Sequence, residues 1–500
     1  MTETRVRDRD VALALFAVVS SVYFATISGI TSSNDGSHYA LVRAIVDRHS
    51  FEISPYLSFT EYQDYALRGD LRFSDRPPGT ALVAAPFYAL ANIAPSPPVS
   101  VPSKHDPHNP RLLYAVLVAP LTASAAVVVF YFTLRRHLAR SQTAAVLTSL
   151  ALALGTTTWK YGSVLYSHAL AALVTWLGIY LVLDLRSRSQ FPWTLALAVG
   201  FLLGFAPLVE YTSIIFSALL GLYVLQFLVR WRPSSAGMDS GVSVWWLNLA
   251  LLAIGALIPL AFLLIYNAVN FGGPFEVSTF HADTTIWPQN EGFAADFATP
   301  LSVGLPAMLF YGSNNQGLFL LAPVTLLSLL GMVAFYRHSP ERFALLVSLF
   351  IAMLLLFSKS TTFNPLTNDG RYLTPFVGLW LIPLAFWIDQ HYLIVRPQLS
   401  RAAWSLVLFG LFFASVRNQF MHIALSWNYD LELSHLRPLA TPPENLLYLF
   451  STVFPNAGNL PLLWLGEALV VGAAGIIANR RSFFIAAQRS SASLSQPGSR

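Results

Sequence analysis

Residues 111–134 read RLLYAVLVAPLTASAAVVVFYFTL, and after Arg111 none of these positions carries a charge. An α-helix needs about 20 apolar residues to cross a hydrocarbon core, so this stretch reads as a membrane span. The runs Val11 to Ile30, Trp245 to Tyr266 and Ala402 to Ile423 read the same way. Of the 500 residues, 55% are apolar and only 11% charged, and the mean hydropathy is +0.55. A soluble domain usually carries about 25% charge, so a soluble enzyme is excluded. The chain has no cysteine, which removes disulfides, thiolate metal sites and a cysteine nucleophile, and leaves the redox compartment unread. The formal charge of +5 follows from arginines at membrane borders and does not imply a nucleic-acid partner.

Twelve spans are expected: Val11 to Ile30, Arg111 to Leu134, Thr143 to Trp159, Val164 to Leu183, Phe191 to Leu208, Tyr211 to Val229, Trp245 to Tyr266, Gly317 to Tyr336, Phe343 to Phe357, Leu373 to Ile388, Ala402 to Ile423 and Pro461 to Ile477. The opening MTETRVRDRD lacks a good cleavage pattern after its apolar run, so the first helix is read as retained, with the N-terminus in the cytoplasm. Gly79 to Ala94 is apolar but short, carries Pro86, and follows a Pro pair. If it crossed, most arginines of the later loops would fall outside; read as interfacial, it leaves 18 of the 30 basic residues on the cytoplasmic side. Both termini are then cytoplasmic, 17 of the 25 acidic residues lie outside, and Glu467 sits within the last span. The long loops, 31–110, 267–316 and 426–460, all fall on the extracytoplasmic face, and the Ser-rich tail 480–500 reads as disordered. Residues 1–479 are thus one helical membrane domain whose chemistry belongs in its outer loops.

The first outer loop opens with SSNDGSHYALVRAIVDRHSFEI, residues 32–53. Ser33 or Asn34 can cap a helix beginning at Asp35, and Tyr39, Leu41, Ala44 and Ile45 give that helix an apolar face that can lie on the membrane. A carboxylate in the first turn suits a general base acting at the membrane surface. The bland alternative is that Asp35 merely favours a helix start. The same loop ends in RFSDRPPGTALVAAPFYAL, residues 72–90, where Pro77 and Pro78 stiffen the chain behind Asp75 and Arg76. An arginine there can grip a phosphate with two parallel contacts, or simply snorkel to water. Lys160, Glu210, Lys359 and Arg371 lie just outside other spans and His168 one turn into one, and with His38 and Asp75 they complete the substrate-binding candidates. Glu210 is the most informative, because a carboxyl in a short turn between spans is costly unless it lines a wet cavity. No His or Cys cluster has metal-ligand spacing, and there is no phosphate-cradling glycine loop.

These pieces, with YNAVNFGGPF at 266–275, YGSNNQGLFLLAP at 311–323 and DGRYLTP at 369–375, resemble in order and spacing the GT-C superfamily of membrane glycosyltransferases. The likeness is greatest to the enzymes similar to protein O-mannosyltransferases and the lipid A aminoarabinose transferase. The resemblance implies an all-α polytopic fold with interfacial helices in the first outer loop. It also implies a polyprenyl-phosphate-linked sugar as donor and a lipid, glycan or protein acceptor. Asp35 takes the part of the base, and Arg76 and Arg371 lie near the donor phosphate. No cofactor is implied. Relatives often have two adjacent acids where this chain has Asn34 and Asp35, which leaves the question of a divalent metal open. A lipid carrier phosphate leaves without an acid, so one base and several cations suffice, and a single displacement inverts the anomeric centre. The competing class is a transporter or flippase of lipid-linked substrates, but its sites usually lie near the bilayer midplane rather than at one face.

Overall fold

The computed structural model describes residues 7–474, apart from 28, 102, 104, 107, 189–191, 231–237, 288–291, 311–316, 362–369, 394–397 and 425–452. Most of the expected loop 426–460 and the tail 480–500 therefore lie outside the described residues, as does Asp369. Among the described residues six helices are long and apolar enough to cross a membrane: Arg111–His137, Ser167–Ser187, Trp246–Phe271, Pro340–Ser358, Leu399–Ile423 and Ala457–Ala474. Five shorter apolar helices stand with them: Gly79–Leu90, Gln142–Gly155, Trp193–Val209, Ser213–Leu228 and Val377–Gln390. The first helix, Asp8–Ala25, ends before the expected Ile30.

Lipid tails are as apolar as leucine, so helices in a membrane associate through close packing, which small residues permit. The helices Trp193–Val209 and Met238–Phe271 show this, since a Cβ on Gly200 would lie 2.1 Å from the Leu252 carbonyl oxygen. Elsewhere the bundle is filled by large rings. Phe130 meets Trp176 edge to face at 4.7 Å, and both are fully buried.

The expected span Gly317 to Tyr336 is not one helix. A turn at Leu318–Leu321 gives way to a 3-10 turn, Pro323–Leu327, before the helix Ser328–His338. Pro323 lacks an N–H and its ring collides with the preceding turn, so the helix cannot run through it.

The loop after the first helix folds into a cap with its own core. Its helix is Ser33–Arg48, capped by Ser32, so the expected start at Asp35 with Ser33 or Asn34 as cap is corrected by two residues. Ser32 and Asp35 form a reciprocal capping box, which satisfies the N–H groups of both. The expectation that this helix lays Tyr39, Leu41 and Ala44 on the membrane is also corrected, because all three are fully buried against protein. A short antiparallel hairpin, Ala66–Arg68 with Leu71–Phe73, follows. Gly69 turns it with φ +58, a conformation only glycine adopts freely. The loop closes with Gly79–Leu90, 12 residues or about 18 Å, too short for a core of about 30 Å. Gly79 seats this helix against the end of Trp193–Val209, where a Cβ would come 2.5 Å from the Leu208 oxygen. That contact brings Arg76 and Glu210 together.

Candidate active site

At the loop-bearing end of the bundle lies a cavity of about 260 Å³. Its polar wall comprises Arg76, Tyr166, His168, Glu210, Asp296 and Tyr372, and Ile214, Ile215, Leu356 and Phe357 line the apolar side. The first loop, the starts of Ser167–Ser187 and Ser213–Arg230 and the end of Pro340–Ser358 all contribute to it.

Arg76 is held between two carboxylates, its Nη2 3.0 Å from Asp64 Oδ1 and its Nε 3.3 Å from Asp75 Oδ1. Asp75 lies behind it, fully buried, accepting from the Ser37 hydroxyl at 3.1 Å. Burial pushes the Asp75 carboxyl up, against the pull of Arg76. The Asp75 carbonyl accepts from the hydroxyls of Ser278 and Thr279, which ties the second long loop to the first. His38 is buried on the same side, and burial, helped by the positive charge of Arg76, drives its pKa down to about 3, so it is neutral.

Arg371 is held differently. Its guanidinium lies 5.2 Å from the ring centre of Tyr372 and 5.8 Å from that of Tyr166, and Nη2 donates to the Tyr372 hydroxyl at 3.5 Å. Among the described residues no carboxylate pairs with it. It stands just behind the cavity wall, near enough to Glu210 for its charge to act on that carboxyl.

Glu210 caps the C-terminal end of Trp193–Val209 and accepts from the Ser167 hydroxyl at 2.7 Å. Burial raises its pKa, while Ser167 and then Arg76 and Arg371 oppose the rise. Asp296 lines the same cavity, and burial lifts it to about 6. Asp35 does not itself line the cavity, although its neighbour Asn34 does. Its Oδ1 accepts from the Ser32 N–H at 2.8 Å, the Ser32 hydroxyl at 2.7 Å and the Gly36 N–H at 3.1 Å, and its Oδ2 from the Thr31 N–H at 2.9 Å. Burial raises Asp35 to about 6, and the contacts from Thr31 and Ser32 hold the rise in check. The absent Cβ of Gly36 lets the Phe59 carbonyl close over this turn.

The structure thus gathers Arg76, His168 and Glu210 into one cavity, with Arg371, Asp35, Asp75 and His38 around its wall. It does not bring in the two lysines. Lys160 Nζ is 3.0 Å from His422 Nε2 in a buried pair, and Lys359 is exposed at the end of its helix. Asp64, Tyr166, Asp296 and Tyr372 were not among the residues expected from sequence. Tyr166 and Tyr372 each adjoin or nearly adjoin a candidate, His168 and Arg371, whereas nothing in sequence marks Asp64 or Asp296. Among the described residues no group of three or more His, Cys, Asp or Glu side chains is arranged to hold a metal ion.

No family model matches the chain, and no curated protein matches it at a significant level. Solved structures do. ArnT from Cupriavidus metallidurans, bound to undecaprenyl phosphate, superposes with a TM-score of 0.50 at 16% identity, over 92% of this chain and 75% of that one. The archaeal oligosaccharyltransferase AglB from Archaeoglobus fulgidus, solved with an inhibitory peptide and a dolichol phosphate, superposes with a TM-score of 0.47 at 12% identity, over 82% of this chain and 55% of that one. At such identity the likeness to ArnT establishes architecture alone, and the chain is a predominantly helical, multi-pass membrane protein with the fold seen in ArnT.

Proposed function

We propose that the protein is a membrane glycosyltransferase that moves a sugar from a polyprenyl-phosphate carrier to an acceptor hydroxyl at the extracytoplasmic face, with inversion. The observation that carries this reading is the gathering of Arg76, Glu210 and Asp296 around one cavity at the helix ends, with Arg371 just behind its wall. ArnT, with the same fold, was solved with undecaprenyl phosphate bound, which supports a lipid phosphate as the anion.

Two guanidiniums suit a phosphate whose charge grows as the sugar leaves, because a contact that strengthens in the transition state lowers the barrier. Arg76 is preorganised by Asp64 and Asp75, and Arg371 by the faces of Tyr166 and Tyr372. The apolar side of the cavity receives the start of the lipid chain. Asp35, near neutrality at about 6, is ionised at pH 7 and serves as the proton acceptor. Glu210 and Asp296 hold sugar or acceptor hydroxyls, and loop 31–110 is the catalytic cap of a domain covering residues 1–479.

Purified protein in liposomes, given a radiolabelled sugar on polyprenyl phosphate and a cell-envelope extract as acceptor source, tests the reading. Label is expected to leave the carrier and become bound to an acceptor. Passage of intact labelled donor across the bilayer without transfer would make the protein a flippase and overturn the proposal.

A further inference from the structure

Asp35 poses a problem for the transfer reaction, since its side chain is fully buried and its oxygens accept from its own helix start. Its nearest hydroxyl contact is Ser32 Oγ, at 2.7 Å. The Thr31 hydroxyl, at 3.4 Å, is a longer contact to the other oxygen and does not line the cavity. Ser32 Oγ in turn lies 3.1 Å from the hydroxyl of Tyr166, and Tyr166 lines the cavity. Ser32 has one hydroxyl hydrogen, committed to Asp35, so the Tyr166 hydroxyl must be the donor to Ser32 Oγ. The hydrogen bonds therefore run in one direction, from the cavity through Tyr166 and Ser32 to Asp35.

We infer that Tyr166 is the catalytic residue that touches the acceptor hydroxyl, and that it hands the proton through Ser32 to Asp35. The inference rests on the glycosyl-transfer reading. As the acceptor oxygen bonds to the anomeric carbon, the bond from that carbon to the phosphate oxygen breaks and its electron pair leaves on the phosphate. The acceptor's proton passes to the Tyr166 oxygen, the proton of Tyr166 to Ser32 Oγ, and that of Ser32 to Asp35 Oδ1. Asp35 ends neutral, and the polyprenyl phosphate carries one more negative charge, beside Arg76 and Arg371. No step leaves a charge on either hydroxyl if the transfers are concerted. The guanidinium of Arg371, 5.8 Å from the Tyr166 ring, places the donor's cation beside the end of the relay.

The test is steady-state turnover, with a proton inventory in mixtures of light and heavy water, for the full-length protein and four single variants. Tyr166→Phe and Asp35→Asn are each expected to lower turnover about 100-fold or more, with the donor KM within a few-fold of wild type. The double variant should be no slower than Asp35→Asn alone, because residues that act as one unit do not lose activity additively. Ser32→Ala should show the same loss, but it also removes a helix cap. Ser32→Thr keeps both cap and hydroxyl and is expected to restore turnover. The wild-type inventory should be curved, since more than one proton is in flight. Turnover of Tyr166→Phe within a few-fold of wild type, a linear inventory, or a double variant slower by the product of the single losses would each overturn the relay while leaving the transferase intact. A wild-type protein that transfers no sugar would overturn the transfer reading, and the relay with it.

Discussion

The two ends of the helix bundle treat charge differently. At the end away from the long loops, arginines meet carboxylates directly: Arg135 with Asp8 at 2.8 Å, Arg140 with Asp389 at 3.4 Å, Arg186 with Glu341 at 3.3 Å and Arg188 with Asp184 at 2.8 Å. The first three pairs join separate segments, the fourth lies within one helix end, and each pair neutralises its own charges. At the loop-bearing end Arg43, Arg76 and Arg111 are paired in the same way, but Glu210 and Asp296 line a cavity without an ion pair among the described residues, and Arg371 rests against tyrosine rings. Keeping half-buried charges without a direct ion-pair partner is costly in a fold that has no use for them. On the proposed function, the contrast separates charges that hold the structure from charges held for a substrate.

The widest expected difference between the ends is all-or-none. The wild type has no cysteine, so single cysteines can be labelled cleanly. An impermeant thiol reagent should reach a cysteine at Ser58 from outside intact cells and should not reach one at Ser187. Labelling at Ser187 would invert the topology and with it the face assigned to the cavity.

Next in size is Asp35→Asn, expected to cost about 100-fold to 10,000-fold in turnover while melting close to wild type. Activity within a few-fold of wild type would reduce Asp35 to its part in the capping box.

A smaller effect is expected from pH. A proton acceptor must be ionised, so transfer should fall about tenfold per unit as pH drops below about 6, where Asp35 titrates. The stability linkage has the opposite sense. Because the folded pKa lies above the unfolded value of 3.8, what Asp35 contributes to stability is full below 3.8 and is lost as pH rises through about 6. Asp296 also titrates near 6, so Asp296→Asn should leave the acid limb of the rate profile in place. A limb that vanishes with Asp296→Asn would assign it to that residue instead.

The smallest effect belongs to the far end. Arg186 and Glu341 are about half exposed, and surface pairs of this kind contribute about 0–1 kcal/mol. Arg186→Ala should shift the melting temperature little and leave transfer kinetics unchanged. A large loss of activity would show that the far end is coupled to the cavity.

Much of this contrast was legible in sequence. Long apolar runs reveal spans because a bilayer demands a fixed length, and arginine placement separates the two ends. Asp35 stood out through the chemistry of a helix start, although the helix begins two residues earlier, at Ser33. What stayed hidden depends on chain segments that meet only after folding. Ser32 and Tyr166 are 134 positions apart, and Asp296 comes from a loop with no periodic signal. The hairpin at Ala66–Phe73 has three-residue strands, too short for alternation to register. The break at Pro323 was visible in the letters, but the apolar run around it favoured one continuous helix.

Steady-state transfer against polyprenyl-phosphate-sugar concentration for Arg76→Ala, Arg371→Ala and Arg186→Ala tests most directly whether charge at the loop-bearing end exists for an anionic donor. Arg76→Ala and Arg371→Ala are each expected to lose about 100-fold or more in turnover and to need more donor, since the guanidinium meets charge that grows in the transition state. Arg186→Ala should match wild type on both counts. Unchanged turnover and unchanged donor dependence in both Arg76→Ala and Arg371→Ala would contradict the account.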